Sequence, residues 1–250
     1  MLSPKIHKKA GSILLVSCLL FFSIFDVIIS HSAVTNNCQI KSIPIRIQAY
    51  LENNSHLLGK NTIDKWIALD YVITENDVVA AYKCISEEMF NTYKKSKLEV
   101  ALTFRNWLQV NKISFYAPAN DFGWGNVYVN RIADKYKENK YISSFDKGSV
   151  IVKESFVFDI NGTISVGPLF YMLKMGKGFN KASNDWKFVE VDLDGTHVET
   201  VRSNPAATQN CIGCHGKRSN SDFLYFIKSN LNSPSLLPKQ HPFTIPSANY

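Results

Sequence analysis

The chain has 250 residues, of which 45% are apolar and 20% charged, with 12 Gly, 9 Pro and 5 Cys. That is the make-up of a folded protein of one or two domains, and it excludes disordered, collagenous and coiled-coil chains. Its 28 Lys+Arg against 21 Asp+Glu give a formal charge of +7, but the cations are scattered and no basic block argues for nucleic acid.

Residues 1–33 read as an export signal. Lys5, Lys8 and Lys9 form a basic start, Ile13 to Ile29 is an apolar run, and small or polar residues lead to Ala33. That order defines a secretory signal peptide and places the mature protein in the periplasm. Two other readings stand beside it. One is an uncleaved membrane anchor, since the run is nearly long enough to span a bilayer; the other is a lipoprotein box at Leu15-Val16-Ser17-Cys18. Cleavage after Ala33 leaves 217 residues and, with three Lys and one Asp gone, lowers the charge from +7 to +5. An exported chain meets oxidising conditions, so Cys38 and Cys84 are expected as a disulfide between the mature N-terminus and a helix. The alternative is two free thiols, with Cys84 packed on an apolar helix face.

The chain then reads as helices followed by a sheet. Residues 74–95 predict a helix that opens with a capping box at Thr74-x-x-Asp77 and repeats Val78, Tyr82, Ile85, Met89 and Tyr93 at helical spacing. A second helix is expected over Leu98–Val110. A short strand follows at Asn126–Asn130, then a helix at Arg131–Asn139. From Gly148 the period becomes that of strands. GSVIVKESFVF leads to Asn161-Gly162, a strong hairpin signal, and TISVG returns after it. Leu169–Met175, Asp185–Leu193 and THVETVR, after an Asp194-Gly195 turn, are further strand candidates. Asp222–Leu231 predicts a closing helix. The tail, with Pro234, Pro238, Pro242 and Pro246, is expected to be extended.

Cys211-Ile212-Gly213-Cys214-His215 carries most of the chemistry. C-x-x-C-H is the attachment signature of c-type haem: each thiol adds to one vinyl group, and the adjacent imidazole comes under the ring as iron ligand. Composition alone would produce it in roughly two chains per thousand. The alternatives are a Cys211–Cys214 disulfide or half of a zinc site, which would want a second Cys or His pair. An ordinary electron-transfer cytochrome c is mostly helical and opens with this motif. Here the motif follows a meander of hairpins.

The runs GSVIVKE (148–154), YMLKMGKGFN (171–180), DWKF (185–188), CIGCH (211–215) and DFLYF (222–226), in this order and spacing, resemble the cytochrome P-460 family. The family includes hydroxylamine-oxidising cytochromes P-460 and gas-binding cytochromes c′-beta. The resemblance covers roughly residues 105–228. It implies an α+β fold, mainly an antiparallel β-sheet with flanking helices, in a homodimer. It also implies one haem c with His215 as the sole protein ligand and a sixth position open to hydroxylamine or nitric oxide. A soluble cytochrome would accept the electrons. The organisation is then a signal peptide (1–33), a helical N-terminal extension (34–104), a haem domain (105–231) and the extended tail (232–250).

The resemblance also assigns Lys153 as the lysine that members oxidising hydroxylamine join covalently to haem. By strand alternation Lys153 shares its face with Ile151 and Val157; the alternative is an edge strand with Lys153 in water. Active members carry a carboxylate in the loop before the haem motif as proton acceptor, but Ser203–Asn210 (SNPAATQN) holds none. Glu154 must point away from the face of Lys153, which leaves Glu199 as the fallback base. Met172 and Met175 are candidate axial ligands or, more simply, core residues. His56, His197 and His241 lie in polar settings. Three functions remain: a haem oxidoreductase acting on hydroxylamine or nitric oxide, a nitric oxide-binding protein, or a His/Met electron carrier.

Overall fold

The structure is a computed structural model that describes residues 38–117, 123–138, 142–199 and 209–227. The export segment, most of the loop before the haem motif and the Pro-rich tail with His241 lie outside the described residues.

Three helices open the fold: α1 (Ser42–Asn53), α2 (Thr62–Val72) and α3 (Glu75–Tyr93). The α3 capping box forms as the spacing predicts. Thr74 Oγ1 accepts from the Asp77 amide at 3.2 Å, and the Asp77 carboxylate accepts from the Thr74 amide at 2.7 Å. Arg46 of α1 pairs with the same carboxylate at 2.8 Å, which holds Asp77 below its ordinary range against the upward push of burial. Tyr50 and Tyr71 stack at 5.2 Å to join α1 to α2.

The remainder is one antiparallel sheet. It contains β1 (Leu108–Gln109), β2 (Phe115–Tyr116), β3 (Trp124–Val129), β4 (Val150–Phe158), β5 (Ile164–Val166), β6 (Leu169–Lys174), β7 (Trp186–Val191) and β8 (His197–Glu199). The main order is β1-β3-β4-β6-β7-β8, with β2 added to β3 and β5 to β4. One face packs against the helices: Tyr128, Val152, Phe156, Tyr171 and Val189 share a core with Ile47, Val78, Ile85 and Met89. The other face carries Val127, Val129, Ile151, Met172, Trp186 and Phe188, and packs against Ile212 and Leu224 from the haem-motif segment. This is an α+β fold with the antiparallel sheet dominant.

Residues 38–40 are stitched to the β4–β5 hairpin. The Ile164 amide donates to the Cys38 carbonyl at 2.8 Å, and the Ile40 amide to the Gly162 carbonyl at 2.9 Å. Gly162 has φ +78°, and a Cβ there would come within 2.3 Å of the Ile40 carbonyl. The Asn-Gly turn therefore serves both the hairpin and its neighbour. Cys38 and Cys84 form a disulfide that fastens this corner to α3.

Two helix expectations are corrected. Over Leu98–Val110 the helix is only α4 (Glu99–Thr103) and a 3-10 turn, after which Leu108 and Gln109 become β1. Phe104 is driven fully into the core, edge-on to Tyr128 at 5.1 Å. Arg105 reaches Glu154, and Leu108 and Gln109 pair with β3, so tertiary demand overrides helical spacing. The closing helix at Asp222–Leu231 is also absent among its described residues. A 3-10 helix ends at Ser221, and Asp222 and Phe223 turn left-handed with φ 50° and 65°. Arg131–Glu138 is helical, but of the 3-10 kind.

The disulfide closes a segment of 46 residues, for which loop-closure entropy gives about 4 kcal/mol. Cys84→Ser is therefore expected to lower stability by about that amount in chemical denaturation. Equal stability of the oxidised and reduced proteins would contradict the bond.

Candidate functional site

β4 separates two environments by alternation. Glu154 points to the helix side and is fully buried. Its Oε1 accepts from Tyr82 at 2.6 Å, Tyr128 at 2.9 Å and Asn126 at 3.2 Å, while Arg105 donates to Oε2 at 2.5 Å. Every lone pair of this carboxylate is engaged. Nearby burial and this charge push the Tyr82 hydroxyl up to about 12.

Lys153 points to the other face, as the pleat requires. Registers place Val127, Lys153, Phe170 and Glu190 in one row across β3, β4, β6 and β7. A Cβ on Gly125 would lie 2.2 Å from the Glu154 carbonyl oxygen and 3.2 Å from Lys153 Cε, so the glycine lets the β4 backbone and, beside it, the lysine stem come close. Its ammonium sits 6.0 Å over the Phe115 ring. Among the described residues it has no ion pair, and burial lowers it from the ordinary 10.5 to about 8.

The haem motif forms α5 (Gln209–His215), which lies over this face with Ile212 buried. Cys211 and Cys214 are both unpaired. Burial raises the Cys211 thiol, and the Glu190 carboxylate adds to the effect. The His215 ring is held between Phe188, at 5.1 Å between centroids, and Tyr225, edge-on at 5.4 Å. His215 Nδ1 is 2.7 Å from the Phe223 carbonyl. A carbonyl can only accept, so Nδ1 carries the proton and the Nε2 lone pair remains for a metal. Burial lowers the imidazole below its usual value, the Phe223 carbonyl opposes this, and the Lys153 ammonium adds to it. Two unpaired thiols on one helix, an imidazole with the correct tautomer and an apolar wall suit a haem bound through iron and sulfur.

The family model described as Cytochrome P460 matches residues 102–226. The chain belongs to the cytochrome P460 family. No curated protein matches it. Membership makes it a c-type haem protein of a family that acts on small nitrogen compounds. The match takes in the whole sheet, α5 and the left-handed turn at Asp222, and it begins at α4.

The structure places the other sequence candidates as follows. Glu199 is in register with Val189 and pairs with Lys187 at 2.5 Å. Both sit on the helix side of the sheet, away from His215. Met172 is packed between its cross-strand neighbours Ile151 and Phe188. Met175 lies just past β6, and His56 and His197 are exposed. The carboxylate on the same face as Lys153 is Glu190, two strands away, or about 9–10 Å at the usual strand spacing. Burial raises its pKa, and Asp192 raises it further. Its signal in the sequence is alternation alone: Trp186, Phe188 and Glu190 share one face of WKFVEV.

Lys153 yields a pH prediction. Between about 8, its folded value, and its ordinary 10.5, the unfolded chain binds more protons, so this residue makes stability rise with pH. In a Cys211→Ala/Cys214→Ala background, which cannot attach haem, Lys153→Met is expected to stabilise the protein at pH 7. The gain should shrink as pH rises from about 8 to 10.5. Parallel stability profiles for the two chains would contradict a desolvated Lys153 amine without an ion pair among the described residues.

Proposed function

We propose that the protein is exported to the periplasm and binds one haem c through thioethers to Cys211 and Cys214 and through iron to His215 Nε2. The other side of the iron is open to hydroxylamine or nitric oxide. The observation that supports this most is the His215 tautomer: Nδ1 is committed to the Phe223 carbonyl at 2.7 Å while the half-buried ring lies next to two free thiols in the sequence.

The haem supplies the coordination position and the electron uptake. The chain's residues then have separate tasks. Lys153, without an ion pair among the described residues and partly neutral near pH 8, is the amine available for a third covalent link to the cofactor. Glu190 is the carboxylate on that face, and its raised pKa suits it to accept protons from a bound nitrogen ligand. We assign catalytic hydroxylamine oxidation to this arrangement, with electrons passed to a soluble cytochrome from a homodimer, as the family resemblance implies. A second reading, nitric oxide capture without turnover, draws support from the loop before the motif, SNPAATQN, which has no carboxylate.

Tryptic mapping of the purified protein is expected to yield a haem-linked peptide containing Lys153 besides the one with Cys211 and Cys214. Lys153→Ala should return an ordinary c-type spectrum. Absence of that peptide from a haem-loaded protein would remove the link. Glu190→Gln is expected to lower hydroxylamine turnover with an artificial acceptor by ~10²-fold or more, and Glu199→Gln to leave it unchanged. Tight nitric oxide binding with no wild-type turnover would favour the second reading.

A further inference from the structure

A few residues past the haem motif lies a buried ion pair that the proposed chemistry does not use. Lys174, the last residue of β6, and Asp222 are both buried. Lys174 Nζ donates to Asp222 Oδ1 at 2.7 Å and Oδ2 at 2.9 Å, and to the Asn184 carbonyl at 2.8 Å. Asn184 Nδ2 also donates to Oδ1, at 2.5 Å, and the Phe145 amide to Oδ2 at 2.6 Å. The indole of Trp186 donates to the Asp222 backbone carbonyl at 2.8 Å. Side chain and backbone of Asp222 are thus held from three separate segments.

The backbone at this point is strained. Asp222 and Phe223 are consecutive non-glycine residues with φ 50° and 65°, a costly conformation that persists only where its surroundings impose it. What the turn achieves is visible one residue on. The Phe223 carbonyl is brought back to 2.7 Å from His215 Nδ1, while its amide donates to the Arg218 carbonyl at 2.9 Å. A helix continuing through Asp222 would carry that carbonyl along its own axis instead.

We infer that Lys174 and Asp222 are positioning residues for the haem ligand: their buried pair imposes the left-handed turn that holds the Phe223 carbonyl on His215 Nδ1. The pair acts on iron only through that hydrogen bond. A carbonyl accepting from Nδ1–H increases the basicity of Nε2 and fixes the ring's orientation. The bond therefore strengthens iron–imidazole ligation and favours the ferric state. The inference rests on His215 being the iron ligand.

The test is resonance Raman and potentiometry on the haem-loaded, full-length protein. Asp222→Asn and Lys174→Met are expected to shift the ferrous iron–histidine stretch to lower frequency and to raise the midpoint potential. Lys174→Gln, which keeps a donor and serves if Lys174→Met does not fold, should shift both by less than Asp222→Asn. Tyr93→Phe is the control for a structural effect. Its hydroxyl is equally buried, but it serves the helix-side core through the Gly167 carbonyl at 2.9 Å. It should lower stability and leave the stretch and potential unmoved. A normal stretch and potential in folded Asp222→Asn and Lys174→Gln would overturn the inference, as would an equal shift in Tyr93→Phe. Failure of the underlying reading looks different: the wild-type protein would show no iron–histidine mode.

Discussion

Successive side chains of a strand must leave its backbone in opposite directions, and in β4 this one constraint separates the chemistry of the molecule from its scaffold. Glu154 is carried into the helix-side core, where Tyr82, Tyr128, Asn126 and Arg105 satisfy it. Lys153, one residue earlier, is carried to the face covered by α5 and has no counter-ion among the described residues. A register shift of one residue would exchange these two environments, burying an unpaired amine among tyrosines and a carboxylate against the haem motif. The registers on both sides of β4 forbid that exchange, because each also seats a row of apolar residues on its own face.

Two buried carboxylates and one half-buried amine illustrate how the fold distributes electrostatic cost. Glu154 and Asp222 are each met by a cation and by several neutral donors. Such pairs hold a particular geometry more than they add net stability, and removing one partner costs about 3–5 kcal/mol. Lys153 has no such arrangement, and its environment responds by favouring the neutral amine. An amine that sheds its proton near physiological pH is poor scaffold material and good reactive material. The position of Asp222 extends the same logic to the other side of the site, since its partners all bear on the segment that returns the Phe223 carbonyl to His215.

Much of this was legible in the sequence wherever a local rule matched the global fold. The haem motif, the Thr74 capping box, the Asn161-Gly162 hairpin and the opposed directions of Lys153 and Glu154 are all short-range features. The first helices were harder to read. Ile43, Ile45 and Ile47 alternate like a strand, yet Ile45 is 71% exposed and the buried set is Ile43, Ile47 and Leu51. In α2, Ile63 and Trp66 are exposed while Ala68 and Leu69 are buried, so apolar character does not mark the inward face. The helix expected to run to Val110 was cut short by partners distant in sequence, Glu154 and β3. Likewise the turn at Asp222 depends on Lys174, 48 residues earlier. Glu190 could be placed on the Lys153 face only once the β6–β7 register was known.

In the proposed function His215 would hold the iron on one side and leave the other free. The absorption spectrum of the purified, chemically reduced protein tests it most directly. A coloured protein is expected, with a high-spin, five-coordinate ferrous spectrum that changes on addition of nitric oxide. A colourless protein, or a low-spin six-coordinate spectrum indifferent to nitric oxide, would contradict it.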